Sequence, residues 1–401
     1  MEKLRFLKPD QVRKLALEHD TPLYVYSRSS LAAAAGEVKS AFSNVPYGLT
    51  VRYAMKANPR PEILKLFDNL GLEIDASSEY ECLDAIAVGI NPAKILLTSQ
   101  QLPRDIRKTI GTGVKFTATS LHQLEEYGKV ATGTSVSVRL NTGLGSGANH
   151  RLTTGGIEVG FGIWFHERDN HGDKIRAIAK RYSLNIERLH IHIGTGSDPE
   201  IWGQLMDAGL FALEQFPDAS ILNLGGGFKL GYMSGQNGAD LPAIGLVAQK
   251  KLEGFYAKTG RKIRLEVEPG RYLTARAGAI VSTIIDQTDT GDEGDDFLKL
   301  DTGMTEIVRP AMYGAQHPLV VVPSNNNTPE EQADYVVIGH CCESSDTLTN
   351  EPNNPEKIAP RPLQKAAIGD YMVIEMAGAY CASMSVKGYN SFPIAKEIII
   401  D

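Results

Sequence analysis

Cysteine is scarce. Only four occur in 401 residues, Cys82, Cys341, Cys342 and Cys381, and none forms a CxxC pair. This excludes a disulfide scaffold and a CxxC metal or redox motif, and it suits free thiols in a reducing cytoplasm. No uninterrupted run of about 18 apolar residues exists, so no segment is expected to span a membrane. Met1–Asp10 mixes charges with single apolar residues and lacks the apolar stretch of a signal peptide. There is no basic excess: net charge is −7, and a nucleic-acid partner is not expected. Sequence repeats, GxGxxG and GxxxxGK[ST] are also missing, which disfavours dinucleotides and nucleoside triphosphates. What remains is an ordinary globular balance, 42% hydrophobic and 22% charged, in a chain long enough for two domains. The one acidic run, Asp286 to Asp296, reads as a solvated loop.

Short β-rich runs recur from Val51 onward, each followed by a helix-length segment. They are Val51–Met55, Leu72–Asp75, Lys94–Thr98, Lys115–Ala118, Ser135–Leu140, Leu189–Ile193, Ile221–Gly225 and Arg264–Glu268. Several are almost wholly apolar, as strands covered on both faces should be. Eight such units predict a closed parallel (β/α)8 TIM-like barrel, with an open doubly wound sheet as the alternative. After about Ala275 the pattern changes. Val281–Ile285, Phe297–Leu300, Leu319–Val322, Tyr335–Ile338, Tyr371–Ile374 and Glu397–Ile400 are strand-like, without helical periods between them. Turn residues, among them Asn325–Asn327, separate them. This predicts a C-terminal all-β domain, joined by the early strand Leu23–Tyr26. The expected division is a barrel over 30–275, with 1–29 and 276–401 forming the β-domain.

A parallel barrel carries its chemistry at the C-terminal ends of its strands. Those ends bring Lys56, Asp75, Arg139, His190 and His192, Gly194-Thr195-Gly196, Gly225-Gly226-Gly227 and Glu268-Pro269-Gly270-Arg271 to one mouth. Two bare glycine turns on neighbouring strands suit a phosphate, because backbone N–H groups can face an anion with no side chain in the way. Lys56 is expected to be desolvated among other cations, which favours the neutral amine that attacks a carbonyl. A structural lysine paired with Asp75 or Glu81 is the alternative. Glu268 suits a protonated pyridine nitrogen, or else an ion pair with Arg271. The His192 ring suits stacking on a flat cofactor, or a satisfied place in the core. No third ligand accompanies the two histidines, so no metal is expected. In the β-domain, Arg309 and Tyr313 are suited to a carboxylate, Glu343 to an ammonium, and Cys342 to proton donation.

Read together, Tyr-Ala-Met-Lys-Ala-Asn (53–58), His-Ile-His-Ile-Gly-Thr-Gly (190–196), Gly-Gly-Gly-Phe (225–228), Glu-Pro-Gly-Arg (268–271) and Cys-Glu-Ser-Ser-Asp (342–346) resemble the fold-type-III pyridoxal-phosphate enzymes, and within them the diaminopimelate decarboxylase family. The resemblance runs from Pro22 to the end of the chain. It implies an alanine racemase-like barrel with a C-terminal β-domain and a homodimer with shared active sites. The implied reaction is conversion of meso-2,6-diaminopimelate to L-lysine and carbon dioxide. A sister decarboxylase for ornithine, lysine, arginine or carboxynorspermidine is the alternative. By the same resemblance, Lys56 bears the pyridoxal 5′-phosphate, His192 stacks on its ring, and Glu268 meets its nitrogen. Thr195, Gly226, Gly227, Gly270, Arg271 and Tyr380 hold the phosphate, while Asp75, Glu81 and Arg139 support lysine and cofactor. Arg271, Arg309, Tyr313, Glu343 and Tyr380 contact substrate. Cys342 enters from the partner subunit. Three departures stand out: Thr195 where serine is common, Phe392 where arginine is common, and a second cysteine, Cys341, beside Cys342.

Overall fold

The computed structural model describes residues 2–145, 155–166, 168–325 and 331–401. The chain divides into two compact units. One comprises Met1–Ala33, Gly231–Gln236 and Leu273–Asp401; the other comprises Ala34–Leu230 and Asn237–Tyr272.

The second unit is a closed parallel barrel. Its strands are β1 (Leu49–Ala54), β2 (Glu73–Ala76), β3 (Ile95–Thr98), β4 (Lys115–Ala118), β5 (Ser135–Asn141), β6 (Asn185–His190), β7 (Ile221–Asn223) and β8 (Arg264–Val267). They pair in ring order, and the β4–β5 and β8–β1 pairings close the circle. A two-residue strand, Ile163–Trp164, adds to the end of β5. The strands are buried almost throughout because helices cover their outer face. Side-chain caps start several helices: Ser78 accepts from Glu81 N–H at 3.1 Å, Ser120 from Gln123 N–H at 3.1 Å, and Asp240 from Ala243 N–H at 3.0 Å. Two expected strands end two or more residues early. β6 stops at His190 and β7 at Asn223, not at Ile193 and Gly225, because the glycine turns that follow leave the ladder.

The barrel floor is charged. Arg52 on β1 and Arg188 on β6 both grip Glu266 on β8, at 3.1 Å and 2.8 Å, and all three are at most 2% exposed. The two guanidinium groups hold the Glu266 carboxyl below its ordinary range although burial opposes this. Residues two apart on a strand share a face. Glu266 on the floor therefore places Glu268 on the same face at the mouth, and Arg188 does the same for His190.

The first unit is mostly sheet. Its strands run in the order Leu319–Val322, Tyr371–Ile374, Gly278–Asp289, Asp296–Leu300, Gln332–Ile338 and Arg361–Gln364. Leu23–Ser27 pairs antiparallel with Gly278–Asp289 and parallel with Lys396–Ile400. The acidic run is only partly the expected loop: residues 286–289 end one strand of a hairpin, Asp289 faces Asp296 at the start of the next, and the residues between are mostly exposed. Two helices depart from the expected all-β pattern. Pro9–His19 lays Val12 and Ala16 onto a core containing Leu23, Val25, Val281 and Val373. Arg309–Tyr313 is a single turn, started by Pro310 and ended by Gly314 at φ +60°. Asn326 and Asn327 of the expected turn lie outside the described residues. Among the described residues no helix is long and apolar enough to cross a membrane.

Candidate active site

Lys56 does not sit at the top of a strand. β1 ends at Ala54, and the chain turns through a short 3-10 helix, Met55–Ala57, which buries Met55 and Ala57 and leaves Lys56 outward. Its side chain is 48% exposed, so the expected desolvation is corrected by the structure. Its Nζ lies 3.4 Å from Asp75 Oδ2 and 3.2 Å from Ser77 Oγ. Glu81 in turn accepts the Ser77 N–H at 2.6 Å. Asp75 is 1% exposed and its Oδ1 has no hydrogen-bond partner among the described residues. Burial, with the charge of Glu268 nearby, pushes its carboxyl up to about 7, against the pull of Lys56.

Glu268 is the most constrained acid of the mouth. Its Oε1 accepts from Asn223 Nδ2 at 2.6 Å, and its Oε2 lies 3.3 Å from His190 Nε2. Burial alone would raise its carboxyl; the positive potential of His190 and Lys56 and the Asn223 bond outweigh it and hold the group well below the carboxylate range. These are its neighbours in place of the ion pair with Arg271 weighed above. Asn223 carried no signal in a reading of titratable groups. Its only cue was its place at the end of β7, two residues before Gly225. It is fully buried and uses both ends of its amide, since its Oδ1 accepts the Gly225 N–H at 2.8 Å.

The glycine turns are locked against neighbouring backbone. A Cβ on Gly226 would strike the Glu268 carbonyl, and one on Gly227 the Gly194 carbonyl. Gly225 and Gly227 also need positive φ, +66° and +99°. Gly196 N–H donates to the Gly227 carbonyl at 2.8 Å, which braces one turn on the other, with half-buried Thr195 between. Gly270 packs on Ala54 and Ala57, which brings the β8 turn against the Lys56 turn, and Arg271 opens the helix Arg271–Thr274. His192 is half-buried, and its Nδ1 has no hydrogen-bond partner among the described residues. Desolvation, with Arg139 and His190 nearby, drives its pKa well below the ordinary value, so the ring is neutral. Arg139 is buried over the Phe161 ring at 5.1 Å.

The remaining expected residues lie in the other unit. Arg309 is 6% exposed, and Tyr313 ends its helical turn. In Cys-Glu-Ser-Ser-Asp, buried Asp346 accepts the N–H groups of Cys341 at 2.9 Å and Met304 at 2.6 Å. Glu343 accepts the Ser345 N–H at 3.2 Å. The adjacent cysteines differ: Cys342 is exposed, whereas burial and Asp346 push the Cys341 thiol up to about 12. Tyr380 has φ +57°, a conformation that non-glycine residues seldom adopt. Phe392 stacks on His340 at 3.7 Å.

The pyridoxal-dependent decarboxylase family, in its pyridoxal binding domain, matches residues 29–275. The chain belongs to this family. It is 32% identical to the diaminopimelate decarboxylase of Streptomyces coelicolor, over 96% of this chain and 86% of that one. It is 28% identical to the diaminopimelate decarboxylase of Escherichia coli K12, over 98% and 92%. A crystal structure of diaminopimelate decarboxylase superposes with a TM-score of 0.89 at 28% identity, covering 98% and 92%. The barrel with its separate sheet unit is the decarboxylase fold. The family's cofactor is pyridoxal phosphate, and the mouth fits it. The carboxylate Glu268 is ionised and buried, as a protonated pyridine nitrogen requires. A neutral imidazole with an unpaired Nδ1 lies beside a bare glycine cradle, and an amine stands at the rim.

Proposed function

We propose that this chain decarboxylates meso-2,6-diaminopimelate to L-lysine and carbon dioxide, using pyridoxal phosphate attached at Lys56. The observation that carries the substrate choice is Arg309, a buried guanidinium with no carboxylate within ion-pair distance among the described residues. Such a group needs an anion, and a substrate lacking a distal carboxylate would leave it unpaired. The relatives named diaminopimelate decarboxylase, similar along nearly the whole chain, support the same choice.

Each residue then has a task. When bound, the cofactor supplies an electron sink for the pair left by the departing carboxylate. Lys56 Nζ would hold it and Glu268 would keep its ring nitrogen protonated. His192, uncharged, would support the ring without repelling that proton. The N–H groups of Gly226, Gly227 and Gly270, the Thr195 hydroxyl, Arg271 and Tyr380 would hold its phosphate. Asp75, Glu81 and Arg139 set the position and charge of the lysine. Arg309 and Tyr313 bind the distal carboxylate, helped by Arg271 and Tyr380, and Glu343 the distal ammonium. A proton is delivered to the α-carbon from Lys56 or from the partner subunit's Cys342. In this reading the enzyme is a homodimer with shared active sites, its barrel spanning 30–275 and its β-domain 1–29 and 276–401. Four cysteines outside any disulfide fit a reducing cytoplasm.

Carbon dioxide release from meso-diaminopimelate, D-ornithine and L-lysine tests the reading; faster turnover of either diamine overturns it. Borohydride reduction followed by peptide mass analysis should place the label on Lys56.

A further inference from the structure

Among the described residues, the Arg309 guanidinium is held by neutral groups. Its Nη1 lies 2.7 Å from His317 Nε2, and its Cζ sits 4.9 Å from the centre of the Tyr232 ring. The His317 ring, 1% exposed, meets Tyr232 edge-on at 5.1 Å and 88°. His317 Nδ1 lies 3.0 Å from the Glu375 backbone carbonyl. A carbonyl only accepts, so Nδ1 carries the proton. Nε2 is then the acceptor in the neutral ring and takes the guanidinium N–H. Tyr232 is itself fixed: its carbonyl accepts from Arg5 Nη2 at 2.6 Å, and its N–H donates to Gln236 Oε1 at 3.1 Å.

We infer that His317 is a positioning residue for Arg309, and that its task is to aim the guanidinium without neutralising it. A carboxylate in that place would hold the arginine as well and cancel its charge. An imidazole lone pair and an aromatic face orient it and leave the full positive charge for a ligand. Resting on the proposed substrate, this makes the His317–Tyr232 pair a determinant of specificity for amino acids that carry a second, distal carboxylate. The reacting end of the substrate is untouched by it.

Steady-state kinetics of the holoenzyme on meso-diaminopimelate and L-lysine test this. Losing a hydrogen bond to a charged group corresponds to roughly ten-fold or more in binding. His317→Leu should therefore raise KM for meso-diaminopimelate about ten-fold, lower kcat by much less, and shrink the preference over L-lysine. His317→Gln, whose amide still offers a donor and an acceptor, should recover part of that loss. Tyr232→Leu should shift the preference in the same direction, and it decides the matter if His317→Leu does not fold. Unchanged KM and preference in folded variants overturn the inference, as does an equal loss on both substrates. If the parent enzyme prefers L-lysine, the substrate reading fails, and the carboxylate role with it. If the parent prefers meso-diaminopimelate and the variants are indifferent, the inference alone fails.

Discussion

Asn223 donates to Glu268 at 2.6 Å while its other end accepts the N–H of Gly225 at 2.8 Å, so one buried amide fixes both the mouth carboxylate and the start of the glycine turn. Asn223→Asp would replace the donor with a second buried acid. A hydrogen bond to a charged group contributes about 1.5–3 kcal/mol, and like charges so close raise each other's pKa. Loss of Glu268 ionisation should weaken cofactor retention by about ten-fold or more. Equilibrium dialysis followed by absorbance of the retained cofactor measures this. Parental retention would remove Asn223 from the site.

Gly226 and Gly254 offer a matched contrast. A methyl at Gly226 meets the Glu268 carbonyl; one at Gly254, inside the helix Leu241–Thr259, meets nothing within 4 Å. Gly226→Ala should lower both melting temperature and cofactor content. Gly254→Ala should raise stability by about 0.5–1 kcal/mol, because alanine loses less backbone freedom on entering a helix. Calorimetry with a cofactor absorbance reading covers both. A Gly226→Ala protein with full cofactor content would mean that the close approach is not required.

Glu375 gives a pH-dependent stability. It is fully buried, its Oε1 accepts the Arg5 N–H at 3.0 Å, and its Oε2 has no partner among the described residues. Burial pushes its carboxyl up to about 7, from an ordinary value of 4.5. Between those values the folded protein holds a proton that the unfolded chain has lost. The stability this confers is full below the ordinary value and is lost as pH rises through about 7. Glu375→Gln cannot ionise, so its melting temperature should gain on the parent as pH rises from 5 to 8. A gap that stays constant across that range would show that the carboxyl titrates normally.

Glu266→Gln tests the barrel floor. It would take from Arg52 and Arg188 their shared buried carboxylate and leave each with a partly exposed one, Glu73 at 2.7 Å and Glu187 at 3.4 Å. Removing one member of a buried charge cluster costs about 3–5 kcal/mol. Urea unfolding should show a loss of that order, largely independent of added salt because the site is buried. A loss below about 1 kcal/mol, the range of exposed pairs, would mean that water reaches the floor.

The sequence by itself determined the barrel. Buried parallel strands read as short apolar runs, and the glycine turns and charged residues at their ends follow the strand period; both are local properties. It also singled out Lys56, Glu268, the paired turns and Arg309, because uncommon residue types in short motifs are visible one by one. Tertiary structure alone decided what each of them touches. The half-exposed setting of Lys56 came from a 3-10 turn that ends β1 at Ala54, one residue before the expected end. The role of Asn223 needed β7 beside β8. His317 supports Arg309 through the backbone of Glu375, 58 positions away. Hydrogen bonds and charge are read at about 3 Å, and the pattern of one chain does not give that distance between residues far apart along it.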